Sequence, residues 1–220
     1  MDEKIPVEIY AFVGVIGSGK SYRLEQMKKE YSGDGQVVIT ADFSDGIRDL
    51  TRQLFGYDAH FGDVNSKEYR DWKENVACVT VHNGAAVNSF TGRDILRNVG
   101  EFTKCIAGQN VWARYTTQSL YSRIKCQPFR SDVCVQGVRV LIGSVRFKCE
   151  AQSIFELFRN VTANLDSFVD PSLHFIFCDY HSPSYDAASN HVSEALAQAV
   201  LDTGEYRDGD DITWLIDTMI

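Results

Sequence analysis

The sequence lacks the features that mark membrane proteins, secreted proteins and zinc proteins. No apolar run approaches the ~20 residues that a transmembrane helix needs, and the first residues, MDEKIP, are acidic, unlike the basic start of a signal peptide. The six cysteines are scattered, without a C-x-x-C pair, so the ligand spacing of a zinc site is absent. We therefore expect a cytoplasmic protein with reduced cysteines and no membrane partner.

Positive charge is scarce as well. The chain has 22 Lys and Arg residues against 30 Asp and Glu residues, which gives a formal net charge of −8. An acidic chain has no general electrostatic attraction to nucleic acid or to an anionic membrane surface. A phosphate-bearing ligand would have to be held by a local cluster of cations, and we expect no nucleic-acid partner.

The remaining composition is that of an ordinary globular protein. Hydrophobic residues make up 44% and charged residues 24% of the 220 positions. Internal repeats and low-complexity tracts are absent. The length suits one α/β domain, so we expect residues 1–220 to form a single domain.

A glycine-rich loop between a strand-like run and a helix-like run is the strongest signal in the sequence. It fits the pattern G-x-x-x-x-G-K-[ST] in the stretch VGVIGSGKSYRL. Glycines let backbone N–H groups approach an anion, and the N-terminus of the following helix adds its positive dipole end. The residues predicted to hold the phosphates of ATP are Gly14, Gly17, Ser18, Gly19, Lys20, Ser21 and Tyr22.

Lys20 and Ser21 have distinct chemical roles in this pattern. The lysine reaches the β- and γ-phosphates, and the serine hydroxyl ligates Mg²⁺. We expect Lys20 to be solvated when no ligand is bound. A plain glycine turn is the alternative, but the buried strand predicted at residues 9–13 and the helix predicted at 22–29 favour a nucleotide-phosphate site.

The rest of the chain alternates between strand-like and helix-like segments. Further strands are predicted at 36–41 and 173–180, and residues 137–147 are predicted to form a strand that runs into a short loop. This alternation predicts an α/β fold with a parallel sheet flanked by helices, typical of P-loop proteins. Segment 57–90 is interpreted as an insertion or cover over the site, with an exposed strand at 77–84. Helices are predicted at 44–56, 66–76, 91–108, 109–124, 149–161, 188–202 and 211–220. The helix at 91–108 has Thr91 as its predicted cap and an apolar face of Ile95, Leu96, Val99, Phe102 and Ile106.

Arginines recur near predicted strand ends and helix starts outside the glycine-rich loop. Asp45 and Arg48 lie in FSDGIR, and Arg93 and Arg97 lie in TGRDILRNVGEF. Arg146 lies just past an apolar strand in VLIGSVRF. Since ligands bind outside the carboxyl ends of the strands in an open parallel sheet, we expect Arg146 to point to the same crevice as the glycine-rich loop.

These segments follow one another in an order that resembles the bacteriophage deoxynucleoside monophosphate kinases, a branch of the P-loop kinases. That family has a P-loop, a segment like F-A-D-P-I-K, a helix like R-x-L-L-Q-x-L-G-T-E-x-x-R-x-x-x-x-x-x-W, a strand ending S-D-V-R-F-x-x-E, a D-H-P-S-E segment and a final D-G. The resemblance implies a nucleoside monophosphate kinase-like fold. The matching segments are collinear over almost the whole chain: Gly14 to Ser21, Phe43 to Arg48, Arg93 to Trp112, Gly143 to Glu150, Asn190 to Glu194, and Asp208 with Gly209.

The chain departs from the family pattern at four positions. Ser144 stands where the family has the aspartate before V-R-F. Lys104 stands where the family has an arginine, and it keeps the charge without the bidentate geometry. Gly46 and Val192 replace two prolines. These positions bear on substrate choice and, at Ser144, on catalysis.

The resemblance implies transfer of the γ-phosphoryl group of ATP, with Mg²⁺, to a deoxynucleoside 5′-monophosphate. Since the acceptor is already an anionic phosphate, catalysis needs positioning and charge stabilisation and no strong base. Asp42 is expected to order Mg²⁺-bound water in place of the missing carboxylate. The implied catalytic residues are Lys20, Arg146 and Arg93, and the implied nucleoside monophosphate-binding residues are Asp45, Arg48, Arg93, Arg97 and Trp112.

Several of these residues also have a purely structural explanation. Arg97 fits an i, i+4 pair with Glu101 on a solvated helix face, and Arg93 fits an exposed first helical turn. Asp45 fits a helix N-cap, and Trp112 fits packing better than stacking on a base.

Two other functions compete with this hypothesis. The first is a related P-loop kinase that acts on a modified base, such as a hydroxymethylated pyrimidine in phage DNA, although the charge of −8 counts against a polyanionic substrate. The second is a nucleotide-binding module that regulates a partner and has lost its chemistry with the carboxylate at position 144. The resemblance also suggests a homodimer and, for a phage protein, a location in the host cytoplasm. The accepted base is left open.

Overall fold

The computed structural model describes residues 4–33, 35–55, 66–82, 85–129, 135–179 and 195–220. Strands and helices alternate along most of these ranges, as the sequence pattern predicts. The strands are β1 (Ile5–Val13), β2 (Gln36–Asp42), β3 (Val76–His82), β4 (Ala85–Thr91), β5 (Gly137–Val145) and β6 (Val169–Phe177). The helices are α1 (Lys20–Glu30), α2 (Asp45–Phe55), α3 (Lys67–Glu74), α4 (Gly92–Ala107), α5 (Val111–Lys125), α6 (Lys148–Leu165), α7 (Ala195–Leu201) and α8 (Thr213–Met219).

The chain forms two compact units. The first consists of Met1–Phe43 and Ala113–Ile220, and the second is the intervening Ser44–Trp112. The first unit contains β1, β2, β5 and β6, and the second contains α2, α3, α4 and the β3–β4 pair. No Pro- or Gly-rich linker lies at either junction in the sequence, so composition does not signal this division.

The first unit is built on a four-stranded parallel sheet with the strand order β2-β5-β1-β6. β1 lies between two partners and pairs Val7 with Val138 on one side and with Pro171 on the other. β1, β2 and β5 are rich in β-branched residues, which suits a sheet that is covered on both faces. The prediction of an α/β fold with a parallel sheet flanked by helices is confirmed.

Helices cover both faces of this sheet because the side chains of each strand alternate between the faces. On one face the odd-numbered residues from Val7 to Val13 belong to the main core, together with residues of α5, α6, α7 and α8. On the other face Phe12 and Leu141 pack with Leu24 and Met27 of α1. Other large, fully buried side chains are those of Leu120, Ile154, Leu157, Phe175 and Leu196.

β6 differs from its predicted bounds, whereas β5 ends where the sequence predicts. β6 begins at Val169, before the predicted start at residue 173, and includes Pro171. The sheet tolerates this proline because β6 is an edge strand, where the missing N–H interrupts no ladder between inner strands. β5 ends at Val145, so Arg146 lies just past the strand, as predicted, in the turn before α6. Near the end of β5, Ser144 has a φ of 57°, and it is the one non-glycine residue with a positive φ among those that the structure describes.

The second unit contains two N-capped helices and an antiparallel strand pair. Ser66 caps α3 by accepting a hydrogen bond from the Tyr69 N–H at 3.0 Å. Thr91 caps α4 in a capping box with Asp94, as predicted. β3 and β4 are antiparallel. The helices predicted at 66–76 and 91–108 are therefore confirmed, whereas residues 83 and 84, the last two of the predicted strand at 77–84, lie outside the described residues.

The predicted apolar face of α4 is only partly buried. Ile95 and Gly100 are buried, and Gly100 lies against Ile47 of α2. Phe102 and Ile106 of the same face are 68% and 71% exposed. The helical period identifies an apolar stripe, but it does not say how far a neighbouring element extends along that stripe.

Some predictions concern residues that the structure does not describe. The helix stop at Gly56, the start of the helix at 188–202 and the match to the D-H-P-S-E segment at 190–194 lie outside the described ranges. The interpretation of segment 57–90 as a cover stays a prediction. Within the described ranges, no helix is both long enough and apolar enough to cross a bilayer.

Candidate functional site

The glycine-rich loop connects the carboxyl end of β1 to the start of α1. Gly14 lies against the chain at Cys178: a Cβ at Gly14 would lie 2.3 Å from the Cys178 carbonyl oxygen and 2.4 Å from Ser18 Oγ. Gly19 is the N-cap of α1 and has a φ of 82°, in the left-handed region that favours glycine. The loop therefore has glycine where a side chain would collide or strain the backbone.

The Lys20 side chain is folded into this loop. It is 9% exposed, and its Nζ donates hydrogen bonds to the carbonyl oxygens of Gly14 and Val15, both at 2.6 Å, and to Ser18 Oγ at 3.4 Å. The expectation that Lys20 is solvated is therefore wrong. The loop turns its own carbonyl groups toward the ammonium, so protein oxygens take the place of water around it.

The N-terminus of α1 has no side-chain cap. Its N-cap is Gly19, and its first turn contains no acidic residue. The N-termini of α4 and α6, in contrast, carry Asp94 and Glu150, whose carboxylates accept hydrogen bonds from backbone N–H groups. Because the first N–H groups of a helix have no intrahelical partner, α1 presents donors and a positive dipole end beside Lys20. This arrangement fits an anion.

The last two predicted phosphate-binding residues, Ser21 and Tyr22, lie exposed in the first turn of α1. The Tyr22 hydroxyl accepts a hydrogen bond from Gln26 Nε2 at 2.7 Å. The backbone N–H of Tyr22, and not its side chain, is therefore the group that fits a phosphate contact. The Ser21 hydroxyl is accessible to a metal ion at the loop.

Two carboxyl groups lie near the carboxyl edge of the same sheet. Asp42 is the last residue of β2 and pairs with Gly143 of β5. Gly143 leaves room for it, since a Cβ there would lie 3.3 Å from Asp42 Oδ2. Glu150, in the first turn of α6, is close enough for the Asp42 charge to affect its pKa. Asp42 thus brings a carboxylate to the strand edge at which Ser144 has none.

Glu150 is a buried residue that the sequence analysis did not include among the site residues. Its Oε2 accepts hydrogen bonds from the backbone N–H groups of Arg146 at 2.7 Å and Phe147 at 3.1 Å. Burial raises the pKa of Glu150 to about 7, the Asp42 charge acts in the same direction, and the two N–H groups and the Arg146 charge oppose the rise. The available signal was a glutamate in the first turn of a helix that directly follows a strand.

Arg146 leaves the sheet at the same edge as the glycine-rich loop. Val13, the last residue of β1 before the loop, pairs with Val145, the residue before Arg146. The Arg146 side chain is exposed. Its place at the carboxyl edge of two adjacent strands is the one predicted from the sequence, and its role stays a prediction.

The remaining candidates for the acceptor lie in the second unit. Arg93 forms an ion pair with Glu74, and both side chains are 58% exposed. Arg48 pairs with Asp45, which lies in the first turn of α2, and also contacts the Ser44 hydroxyl. The exposed Arg93–Glu74 pair contributes little to stability, so Arg93 stays available to exchange a carboxylate for a phosphate. The Arg48 side chain, in contrast, is only 16% exposed.

Arg97 also forms an ion pair, but not with the expected residue. It pairs with Asp94 at 2.9 Å, three residues before it. Glu101, the partner expected from the i, i+4 spacing, pairs instead with Lys104 at 2.8 Å. Two acidic residues lie within reach of Arg97 along the helix, and spacing alone does not choose between them.

Trp112 is buried within the second unit. It is 8% exposed, and its indole N–H donates a hydrogen bond to the Gly100 carbonyl oxygen at 3.2 Å. This environment agrees with the prediction that Trp112 packs in the protein interior, and it leaves little of the indole ring for a base to stack on.

A Mg²⁺ ion at the loop would have few protein ligands. Within the described ranges, no three or more His, Cys, Asp or Glu residues are arranged to hold a metal. Mg²⁺ bound to phosphates usually keeps several waters and takes one or two protein oxygens. The exposed Ser21 hydroxyl and the Asp42 carboxylate fit that requirement.

Comparisons with known proteins add little to this description. No known protein family matches the sequence, and no curated protein does either. A solved structure that resembles the chain is that of the Cys556Ala mutant of the APS kinase CysC from Mycobacterium tuberculosis. The two share 19% identity, with 92% of this chain and 99% of that chain covered, and a TM-score of 0.27. A TM-score this low is no evidence of a common fold or activity.

Proposed function

We propose that this chain is a P-loop kinase that transfers the γ-phosphoryl group of ATP to a deoxynucleoside 5′-monophosphate. The observation that carries the proposal is the loop from Gly14 to Ser21. It combines a glycine that packs without room for a side chain, an uncapped helix N-terminus and a lysine held inside the loop. Together these groups offer backbone donors and one cation to the same anion.

The loop residues have separate tasks in this proposal. The Lys20 ammonium exchanges the Gly14 and Val15 carbonyl oxygens for phosphate oxygens, and the first N–H groups of α1 bind the same phosphates. Ser21 and Asp42 would hold a Mg²⁺ ion, Ser21 through its hydroxyl and Asp42 through a bound water. Mg²⁺, when bound, neutralises charge on the phosphates. A bond from the γ-phosphorus to the acceptor oxygen forms as the bond to the β-phosphate oxygen breaks, and ADP leaves.

The acceptor is proposed from chemistry and from the resemblance in sequence. A phosphate acceptor requires cations and no strong base. Arg146 is a cation at the carboxyl edge of the sheet, and it is assigned to the migrating phosphoryl group. The groups assigned to the nucleoside monophosphate are Asp45, Arg48, Arg93 and Arg97, whereas Trp112, predicted with them, is assigned to packing. The proposal includes a homodimer in the host cytoplasm, no nucleic-acid partner and no membrane partner.

An assay of ADP release tests the proposal directly. Purified protein with Mg²⁺ and ATP is offered a panel of ribo- and deoxynucleoside monophosphates, including 5-hydroxymethyl pyrimidines, and products are identified by mass. Turnover of one or a few deoxynucleotides supports the proposal and names the base. ATP binding without turnover of any free nucleotide contradicts it, and transfer to duplex DNA carrying hydroxymethylated bases then separates a DNA-modifying kinase from a binding module.

A further inference from the structure

We infer that Glu150 is a positioning residue for Arg146: its buried carboxylate fixes the turn between β5 and α6 and thereby holds the arginine at the edge of the sheet beside the glycine-rich loop. The inference rests on the proposed function, because Arg146 is assigned to the migrating phosphoryl group there. Glu150 itself need not touch any substrate.

The hydrogen bonds of the turn carry this inference. Glu150 Oε2 accepts from the N–H of Arg146 at 2.7 Å and from that of Phe147 at 3.1 Å. On the other side of the same residue, the Arg146 carbonyl oxygen accepts from the Leu196 N–H at 3.4 Å. The backbone of Arg146 is therefore held at both its polar groups, whereas its side chain is exposed and free to meet an anion.

The backbone just before the turn explains why it needs this support. Ser144 has a φ of 57°, which residues with a side chain adopt only at a cost in energy. A conformation of this kind persists where neighbouring contacts determine it. The two hydrogen bonds to Glu150 lie directly after it, so their loss allows the end of β5 to relax and moves Arg146 relative to the loop.

Glu150 differs from an ordinary helix cap in its burial. Asp94 provides the same kind of cap for α4 and is half-buried, whereas Glu150 is buried. The charged groups that face Glu150 are Asp42, from β2, and Arg146. A buried carboxyl group beside another carboxylate is unfavourable for folding alone, which points to a requirement for the geometry that it imposes.

A double-mutant cycle tests whether Glu150 acts through Arg146. The variants are Glu150→Ala, Arg146→Ala and the double variant, assayed for kcat and for KM of both substrates. We expect Glu150→Ala to lower kcat by roughly 10²-fold, the order of loss caused by a misplaced group, with KM for ATP nearly unchanged. In the Arg146→Ala background, adding Glu150→Ala should lower kcat no further. Full additivity of the two losses would overturn the inference.

Three more variants separate positioning from general damage to the fold. Glu150→Gln keeps an oxygen acceptor of the same length and should retain most of kcat. Glu150→Asp keeps the charge but withdraws the oxygen from the two N–H groups, so we expect it to lower kcat. This variant tests the inference even if Glu150→Ala fails to fold. Glu156→Ala changes an exposed glutamate of the same helix and serves as the matched control. Equal activity of the Asp and Gln variants contradicts the inference.

Hydrogen exchange gives a readout that does not depend on kinase activity. The Arg146 and Phe147 amides should exchange faster in Glu150→Asp than in the wild type and at the wild-type rate in Glu150→Gln. If the wild type is active, two results would overturn this inference without touching the proposed function. One is an amide exchange rate in Glu150→Asp that equals that of the wild type, and the other is an additive double-mutant cycle. If the wild type transfers phosphate to no acceptor, the proposed function fails and the inference fails with it.

Discussion

At the scale of single residues, the candidate site depends on how Lys20 and Gly14 are held. Lys20 is buried by its own loop and bonded to two backbone carbonyl groups. Its ammonium therefore has a structural role when no phosphate is bound, besides the role proposed for it in catalysis. A variant at this position changes both stability and activity, and the two effects have to be measured separately.

Lys20→Met is expected to lower kcat by roughly 10²–10³-fold, the order seen when one group that stabilises transition-state charge is removed. Methionine fills the space of the lysine stem but leaves the Gly14 and Val15 carbonyl groups without this donor, so we also expect a loss of about 1–3 kcal/mol in the free energy of unfolding. Steady-state kinetics and urea denaturation measure the two effects. Lys29→Met, an exposed position on the same helix, is the control. Wild-type kcat in folded Lys20→Met protein would end the kinase proposal.

Gly14→Ala is expected to abolish ATP binding. The added Cβ would lie 2.3 Å from the Cys178 carbonyl oxygen, closer than real Cβ atoms come to other atoms, so the loop has to shift. Overpacking of this kind costs about 1–3 kcal/mol. Binding of a fluorescent ATP analogue measures the effect. The control is Gly33→Ala, because nothing lies within 4 Å of a Cβ at Gly33. Equal affinity of the two variants would show that the loop tolerates a side chain.

At the scale of the elements, α4 and α6 begin with hydrogen bonds to their own side chains, whereas α1 does not. α4 begins with the Thr91–Asp94 capping box and α6 with Glu150, whereas α1 begins with Gly19 and no side-chain cap. A capped helix is complete without a ligand. The uncapped end of α1 is the one beside Lys20, which agrees with the proposal that a phosphate completes it.

Thr91→Ala tests the energetic value of the cap on α4. The Thr91 hydroxyl accepts from the Asp94 N–H at 3.1 Å and donates to Asp94 Oδ2 at 2.9 Å. We expect a loss of about 1 kcal/mol, as for other N-caps, with Thr91→Ser close to the wild type. Thr103→Ala in the same helix removes a hydroxyl that only donates back to the Val99 carbonyl oxygen, and it should cost less. Urea denaturation measures the free energy of unfolding of each variant. An equal loss of stability in Thr91→Ala and Thr103→Ala would argue against a stabilising cap at Thr91.

At the scale of the whole molecule, the buried Glu150 links stability to pH. Its pKa is raised to about 7 mainly by burial, so the folded state keeps a proton that the unfolded state releases near the ordinary pKa of glutamate. Between these two values the folded state binds more protons, and stability therefore falls as pH rises. Asp211 acts in the opposite sense at lower pH, because hydrogen bonds from Thr213 and His174 lower its pKa despite its partial burial.

Glu150→Gln is expected to remove this pH dependence. Relative to that variant, the wild type should lose up to roughly 3 kcal/mol of stability between pH 5 and pH 8. The measurement is urea denaturation of both proteins across that range, and Glu156→Gln on the same helix should follow the wild type. Parallel pH profiles for the wild type and Glu150→Gln would mean that Glu150 has an ordinary pKa in the folded protein.

The sequence by itself determined the features that depend on neighbouring residues. The glycine-rich loop, the helix that follows it and the Thr91 cap could be predicted because phosphate loops and caps are built from residues within a few positions of one another. The parallel sheet followed from the alternation of apolar strands and helices. Arg146 was placed at the correct edge because the carboxyl ends of parallel strands meet there.

Tertiary structure alone decided the features that depend on distant residues. The strand order brings Asp42 beside Gly143, and burial under the sheet edge gives Glu150 its raised pKa. Neither is visible in local spacing, because pairing and desolvation arise from segments far apart in the chain. The same reason explains the burial of Lys20 and the exposure of Phe102, since both depend on which atoms surround a side chain and not on the sequence around it.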